Sequence, residues 1–402
     1  MEFFRYSDNA RHMQASEIRE LMKLASRPGI IALGGGSPDG KSFPVAEVAG
    51  ILKGLTDAET RAAFQYGTTG GYPPLLEQLR KRMAGQGLSL AGQQVQITTG
   101  AQQGLYLTAK ALLNPGDTVL LESPSFIGAV AAFKSLRADL AWAPLQNDGM
   151  DVSAAEAILK KLSAEGRLPK FIYTIPNFQN PAGLTMSQAK RKALLALALH
   201  YNVPILEDDP YGELYFEGMA ADYAPIKKLP GAESCVLYLN TFSKILSPGM
   251  RLGWITGPEA LVAQLEIAKQ SVDACSSSYT QVIAERYLAK GFVQGYVEKM
   301  RDIYRSKCNL MLLALKKHLP PQASWSVPQG GFFVWVTLPE GISARTLFDR
   351  ALKRNVAFVT GAPFCEAGKG DHYARLAFSN ASFDDIEKGV QIIGQEMKGM
   401  LP

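Results

Sequence analysis

The strongest constraint on this chain is an alternation. Short apolar runs of strand length repeatedly break into loops rich in glycine, proline and asparagine, and each loop leads into a helical stretch. VQITTGAQQGLYLTAKALLNPGDTVLLESPSF reads as strand, turn, helix, turn, strand, and Phe171–Ile175, VPILEDDPY and Val236–Leu239 continue the pattern. Strands separated by helices build a wound α/β layer with a mainly parallel sheet. Such sheets bind ligands beyond the carboxyl ends of their strands, where polar residues collect in this chain.

Taken singly, each of those residues has an ordinary reading. Lys244 follows Val236–Leu239 among Thr241, Ser243 and Ser247, and is either a solvated surface turn or a rigidly held amine suited to Schiff-base chemistry. Arg251 comes after a Pro248-Gly249 turn that can aim a second cation at the same place, and two cations with several hydroxyls suit a phosphate. The turn from Thr99 through Ala101 and Gln102 opens a helix whose free N–H groups form an anion pocket. It is neither a GxGxxG fingerprint nor a Walker loop, so nucleotide binding lacks its carriers.

Phe126 either packs in the core or lies over a planar ring. Asn180 braces its turn before a proline, or faces a ligand. The acids of EDDPY are solvated, or Asp208 and Tyr211 reach under a strand-end cleft. Gly34-Gly35-Gly36 lets backbone approach something flat or anionic, or simply turn. Tyr66 stands on a loop held open by glycines and prolines. The repetition favours one cleft, because independent surface turns have no reason to carry complementary chemistry.

Nearer the ends, Ala15–Leu24 reads as a helix that Ser16 caps, with Arg19 near its start. From about Phe292 a long helical stretch leads through a Gly-Gly turn into WSVPQGGFFVWVTLP. Two more short strands and a terminal helix from about Asp384 to Lys398 complete a smaller α+β unit, with a boundary near residue 290. Arg375 lies inside the apolar strand ARLAFSN and needs a partner, either a structural carboxylate or a substrate's.

The 42 basic and 37 acidic residues give a net charge of +5 without a basic run, which offers nothing for nucleic acid. The four cysteines and four histidines are scattered, arguing against a disulfide framework, zinc or any other metal centre. No apolar run has membrane-spanning length, and the amino terminus lacks a secretory pattern, so a cytoplasmic protein is expected.

With NPAG, EDDPY, TFSK and RLGW in this order, the chain resembles the fold-type I pyridoxal-phosphate aminotransferases of class I/II, and more narrowly the branch containing 2-aminoadipate and kynurenine aminotransferases, from ASEIREL to RLAFS. The resemblance implies a large domain over 44–290 with a mainly parallel, seven-stranded-type sheet, a smaller α+β domain over 291–402, and a segment 1–43 packing with the small domain. It implies that Lys244 forms the Schiff base and moves the substrate proton, Asp208 pairs with the pyridine nitrogen, Asn180 and Tyr211 bond the ring's phenolic oxygen, and Phe126 stacks on the ring. Ala101, Gln102, Ser243 and Arg251 would hold the phosphate, with Tyr66 entering from a second subunit of a homodimer. Arg375 would grip the substrate α-carboxylate beside Gly36, and Ser16 and Arg19 would meet its side chain. The implied reaction moves an amino group from an L-amino acid to a 2-oxo acid such as 2-oxoglutarate. A lyase or decarboxylase, or a regulator binding the cofactor without turnover, are the alternatives. No segment of winged-helix size precedes the first motif, which disfavours the DNA-binding regulators of this family.

Overall fold

The computed structural model describes residues 3–12 and 27–402. The helix expected over 15–24, with Ser16 and Arg19, lies outside the described residues. In chain order the strands are β1 (Ile31–Ala32), β2 (Gln93–Thr98), β3 (Thr118–Ser123), β4 (Asp139–Gln146), β5 (Gly149–Met150), β6 (Phe171–Thr174), β7 (Ile205–Asp208), β8 (Val236–Thr241), β9 (Gly253–Pro258), β10 (Ser324–Trp325), β11 (Phe333–Thr337), β12 (Val356–Ala357), β13 (Val359–Thr360) and β14 (Tyr373–Ala377).

The large sheet has the order β2-β9-β8-β7-β6-β3-β4-β5. The pairs from β4 through β3, β6 and β7 to β8 are parallel, and β9 runs against both of its neighbours. Seven strands make up its body. The eighth, β5, is a two-residue hairpin return on the edge. All residues of β6, β7 and β8 are buried, since helices cover both faces, whereas the near-edge strand β4 is largely accessible. Chain direction reverses between β3, which leads outward to β4, and β6, which leads inward to β7 and β8. That is a topological switch point, with a crevice at the carboxyl ends.

The helices start where their caps dictate. Ser187 accepts a hydrogen bond from Lys190 N at the head of Gln188–Tyr201, and Asp151 does the same for Val152–Ala164. Ala101–Leu112 instead begins at Gly100, with φ 75° and no side-chain cap, so its first N–H groups face the crevice without a competing side chain.

The carboxyl-terminal unit is a four-stranded antiparallel sheet, β10-β11-β14-β13, under the long helix Phe292–His318 and the terminal helix Phe383–Lys398. β1 pairs in parallel with β12, so the segment after residue 27 is bound to this unit. Further ties follow: Lys307 Nζ donates to Asp39 Oδ2 at 2.9 Å, and Ser379 Oγ to Ser37 O at 2.7 Å. They hold the Gly34–Gly36 backbone over the crevice. Among the described residues no helix is long and apolar enough to cross a membrane.

Candidate active site

The parallel strands end together, and the turns after them carry the site. After β8, the Thr241 hydroxyl accepts the Ser243 N–H at 3.1 Å and lies 2.9 Å from the Ser243 hydroxyl. Those bonds tighten the turn that presents Lys244. Lys244 Nζ donates to Gly36 O at 3.2 Å and sits 5.1 Å from the Phe332 ring centre and 5.7 Å from that of Tyr211. Burial, aided by the nearby Arg251 and Arg375 guanidiniums, brings its amine down to about 8, with Asp208 opposing. An amine so lowered is a usable nucleophile near neutral pH.

Asp208 ends β7 and is 2% exposed. Its Oδ2 accepts the Tyr173 hydroxyl at 2.9 Å, while Oδ1 is buried without a partner. Burial raises this carboxyl to about 7, with the Tyr173 hydrogen bond and Lys244 pulling down and Asp209 pushing up. A buried acceptor left empty is costly, so this position is built for a donor that the described residues do not supply.

Tyr211 is buried edge-on to Phe332 and Phe333, and burial pushes its phenol up. Asn180 is within hydrogen-bonding reach of that phenol, and its Oδ1 accepts Arg375 Nη1 at 2.8 Å. Arg375 also donates through Nη2 to Gly34 O at 2.7 Å, and its guanidinium lies 4.5 Å from the Phe333 ring centre. Among the described residues its Nε has no partner and no carboxylate pairs with it. Of the two partners the strand context allows, the structural carboxylate is therefore the one it lacks. Burial brings Arg375 down to about 10. Gly36 is tight by construction, since a Cβ there would stand 2.7 Å from the Phe333 ring.

At the other end of the crevice, Arg251 adopts a left-handed φ of 50°, and a Cβ on Gly100 would lie 2.6 Å from its Nη2. A Cβ on Gly253 would lie 2.9 Å from Ala101 N, so two glycines let the guanidinium, the strand and the helix start converge. Arg251 and the helix start at Ala101 thereby meet at this end of the crevice, where free N–H groups and a cation suit an anion. Phe126 stands at the head of helix Ile127–Ser135, and Gln102 Nε2 donates to Gly128 O at 2.7 Å in the same corner. Tyr66 is 88% exposed, and its side chain makes no hydrogen bond among the described residues.

Sequence reasoning passed over Tyr173 and the Phe332–Phe333 pair. Tyr173 was detectable as the one hydroxyl-bearing ring within the buried run FIYT, and the phenylalanines as the apolar pair after the Gly-Gly turn.

The model of the family "Aminotransferase class I and II" matches residues 13–393. The chain belongs to that family. The aminotransferase is 39% identical over 98% of its length to aromatic-amino-acid aminotransferase 1 of Thermococcus litoralis, covering 94% of that protein. It is 38% identical, again over 98%, to 2-aminoadipate transaminase of Thermus thermophilus, covering 97% of it. Among solved structures, Pyrococcus horikoshii kynurenine aminotransferase in complex with PMP superposes with a TM-score of 0.95 and 40% identity, over 99% of this chain and 98% of that one.

The enzyme is accordingly an aminotransferase that uses pyridoxal 5'-phosphate. Its residues fit the cofactor's chemistry: an amine for the aldehyde, an empty buried carboxylate oxygen for a protonated ring nitrogen, and an uncapped helix start beside an arginine for the phosphate.

Proposed function

We propose that the aminotransferase takes L-amino acids with long acidic or aromatic side chains, 2-aminoadipate, glutamate and kynurenine among them, with branched-chain donors also in range, and passes their amino group to 2-oxoglutarate or a similar 2-oxo acid. The names of its relatives support this range of donors. In this reading Arg375 receives the α-carboxylate through a two-pronged hydrogen bond, for which a lysine is a poor substitute. The observation that carries it is a buried guanidinium without a carboxylate partner, facing the same crevice as Lys244.

Bound cofactor supplies the electron sink, and the protein's side chains do the rest. Lys244 would hold the cofactor through its amine and would take the proton from the substrate Cα, a task suited to an amine near 8. Asp208 would keep the ring nitrogen protonated through its open Oδ1. Tyr211 and Asn180 would bond the ring oxygen, and Phe126 would cover the ring face. Ser243, Arg251 and the N–H groups of Ala101 and Gln102 would hold the phosphate. Gly36 would shape the backbone that meets the substrate carboxylate.

The enzyme works as a homodimer in the cytoplasm, with Tyr66 completing the partner's phosphate site; its 88% exposure and lack of a side-chain hydrogen bond support this. The chain divides into a segment 1–43 held against the small domain, a cofactor domain over 44–290 and a small domain over 291–402, as the β1–β12 pairing and the start of the long helix at Phe292 support.

Replacing Lys244 by Ala tests the core of the reading. The purified variant is expected to lose the visible cofactor band and nearly all turnover, and an unchanged spectrum removes Lys244 from its role. For specificity, Arg19→Ala is expected to weaken dicarboxylic donors selectively, by up to about fivefold in kcat/KM for the roughly 1 kcal/mol of one lost ion pair. Equal losses across a panel of aminoadipate, glutamate, kynurenine, leucine and aromatic donors would discard that assignment of Arg19.

A further inference from the structure

Immediately beside Asp208 lies a second buried acid that the functional reading leaves unused. Asp209 is 4% exposed, and both of its oxygens are occupied. Oδ1 accepts Asn177 Nδ2 at 2.9 Å and Oδ2 accepts the Tyr238 hydroxyl at 3.0 Å. The Tyr238 oxygen in turn accepts Asn240 Nδ2 at 2.9 Å, and Asn240 Oδ1 accepts Thr241 N at 2.7 Å. On the other side, Asn177 Oδ1 accepts Arg191 Nη2 at 2.7 Å. A Cβ on Gly212 would lie 2.6 Å from both Asp209 oxygens, so the carboxylate also sits directly against the turn that follows Tyr211.

Donor and acceptor roles along this chain are forced. Arg191 only donates, so Asn177 must turn its oxygen to it and its NH2 to Asp209. The Thr241 N–H only donates, so Asn240 must turn its oxygen there and its NH2 to Tyr238. That leaves the Tyr238 proton for Asp209. Both branches deliver a hydrogen to position 209, which therefore needs two acceptors, a need that a carboxylate meets and an amide does not.

We propose that Asp209 is a positioning residue that locks into mutual register the three turns bearing Asn180, Tyr211 and Lys244. This inference rests on the roles given to those three residues above. Asn177 lies three residues before Asn180, and Gly212 directly follows Tyr211. Asn240 and Thr241 lead through Ser243 to Lys244. One carboxylate thereby holds three segments far apart in the chain to the tolerance that catalysis requires, where about 1 Å of misplacement can cost on the order of 100-fold in rate.

The test compares Asp209→Asn and Tyr238→Phe with the wild-type holoenzyme. The measurements are pyridoxal-phosphate affinity by titration of the apoenzyme, the pH midpoint of the visible cofactor band, and kcat and KM for glutamate with a 2-oxo acid. Asp209→Asn is expected to weaken cofactor binding by about tenfold, to move the pH midpoint and to lower kcat on the order of 100-fold. KM should change less than kcat, since Arg375 meets the network only through Asn180 and keeps its bond to Gly34 O. Tyr238→Phe cuts only the Lys244 branch, so it should move the midpoint with a smaller loss of kcat. A folded Asp209→Asn enzyme with wild-type midpoint and kcat overturns the proposal, as does a variant that loses thermal stability alone. If Asp209→Asn does not fold, Tyr238→Phe decides by the same measurements. A wild-type protein that takes up no pyridoxal phosphate would instead remove the functional reading, and this proposal with it.

Discussion

Arg191 and Arg375 are both withdrawn from solvent, at 0% and 5% exposure, yet their surroundings are arranged for opposite ends. Arg191 lies on the large-sheet side, in helix Gln188–Tyr201. It donates to the carbonyls of Met186, Ala224 and Pro176 and to Asn177 Oδ1, leaving the guanidinium well supplied with acceptors. Arg375, on β14 of the smaller unit, has two acceptors, an Nε with none and two aromatic rings in place of further acceptors. The same contrast separates Asp209, with both oxygens filled, from Asp208, with one oxygen empty. Saturated charges hold the scaffold, and unsaturated ones mark where a ligand finishes the bonding.

Four substitutions sharpen or break that contrast. The largest effect is expected from Lys244→Ala, which removes turnover. Arg375→Ala comes next: kcat/KM should fall on the order of 10²- to 10³-fold, the cost of losing one partner of a buried ion pair. Its unfolding midpoint should hold or rise, because an undersupplied buried charge has gone. A large stability loss with little change in kcat/KM would place Arg375 with the scaffold instead.

For Arg191→Met the pattern should reverse. The apoenzyme is expected to lose about 3 kcal/mol in denaturant unfolding, since Asn177 Oδ1 and several carbonyls lose their donor and the Asp209 charge its nearest cation. KM should be close to wild type.

The smallest effect concerns Asp208→Asn in the cofactor-free protein. In the folded state this carboxyl keeps its proton to about 7, against roughly 4 in the unfolded chain. Its ionisation therefore costs stability above about 7, and that cost disappears as the pH falls toward 4. The variant should be more stable than wild type at pH 8, by on the order of 1–2 kcal/mol, with the gap closing in acid. Thermal unfolding of both apo-proteins across that range checks the sign, and a gap that widens in acid would contradict it.

Much of this was legible in the linear order of residues. The wound layer followed from apolar runs alternating with turn residues, and the helix opening in the turn from Thr99 through Gln102 followed from its glycine-bearing start. The turns bearing Lys244, Asp208 and Asn180 were found because strand ends in such a layer converge on one crevice. Other features had no sequence signal. Asp208 and Asp209 are identical in type and adjacent, and nothing in EDDPY says which of them keeps an empty oxygen. Arg191 looks like any helix arginine in QAKRKALLALALHY. The 29 residues between Asp209 and Tyr238 and the 195 between Asn180 and Arg375 are bridged only by the tertiary fold.

Sequence alone determined the element types, the wound architecture and the inventory of chemical groups, because periodicity, capping and turn chemistry act over a few neighbouring residues. Tertiary structure alone decided which groups are saturated. Whether a buried oxygen or guanidinium finds its partner depends on segments that lie from 29 to 195 residues apart, as at Asp209 and Arg375, meeting within about 3 Å, a condition that no local pattern encodes.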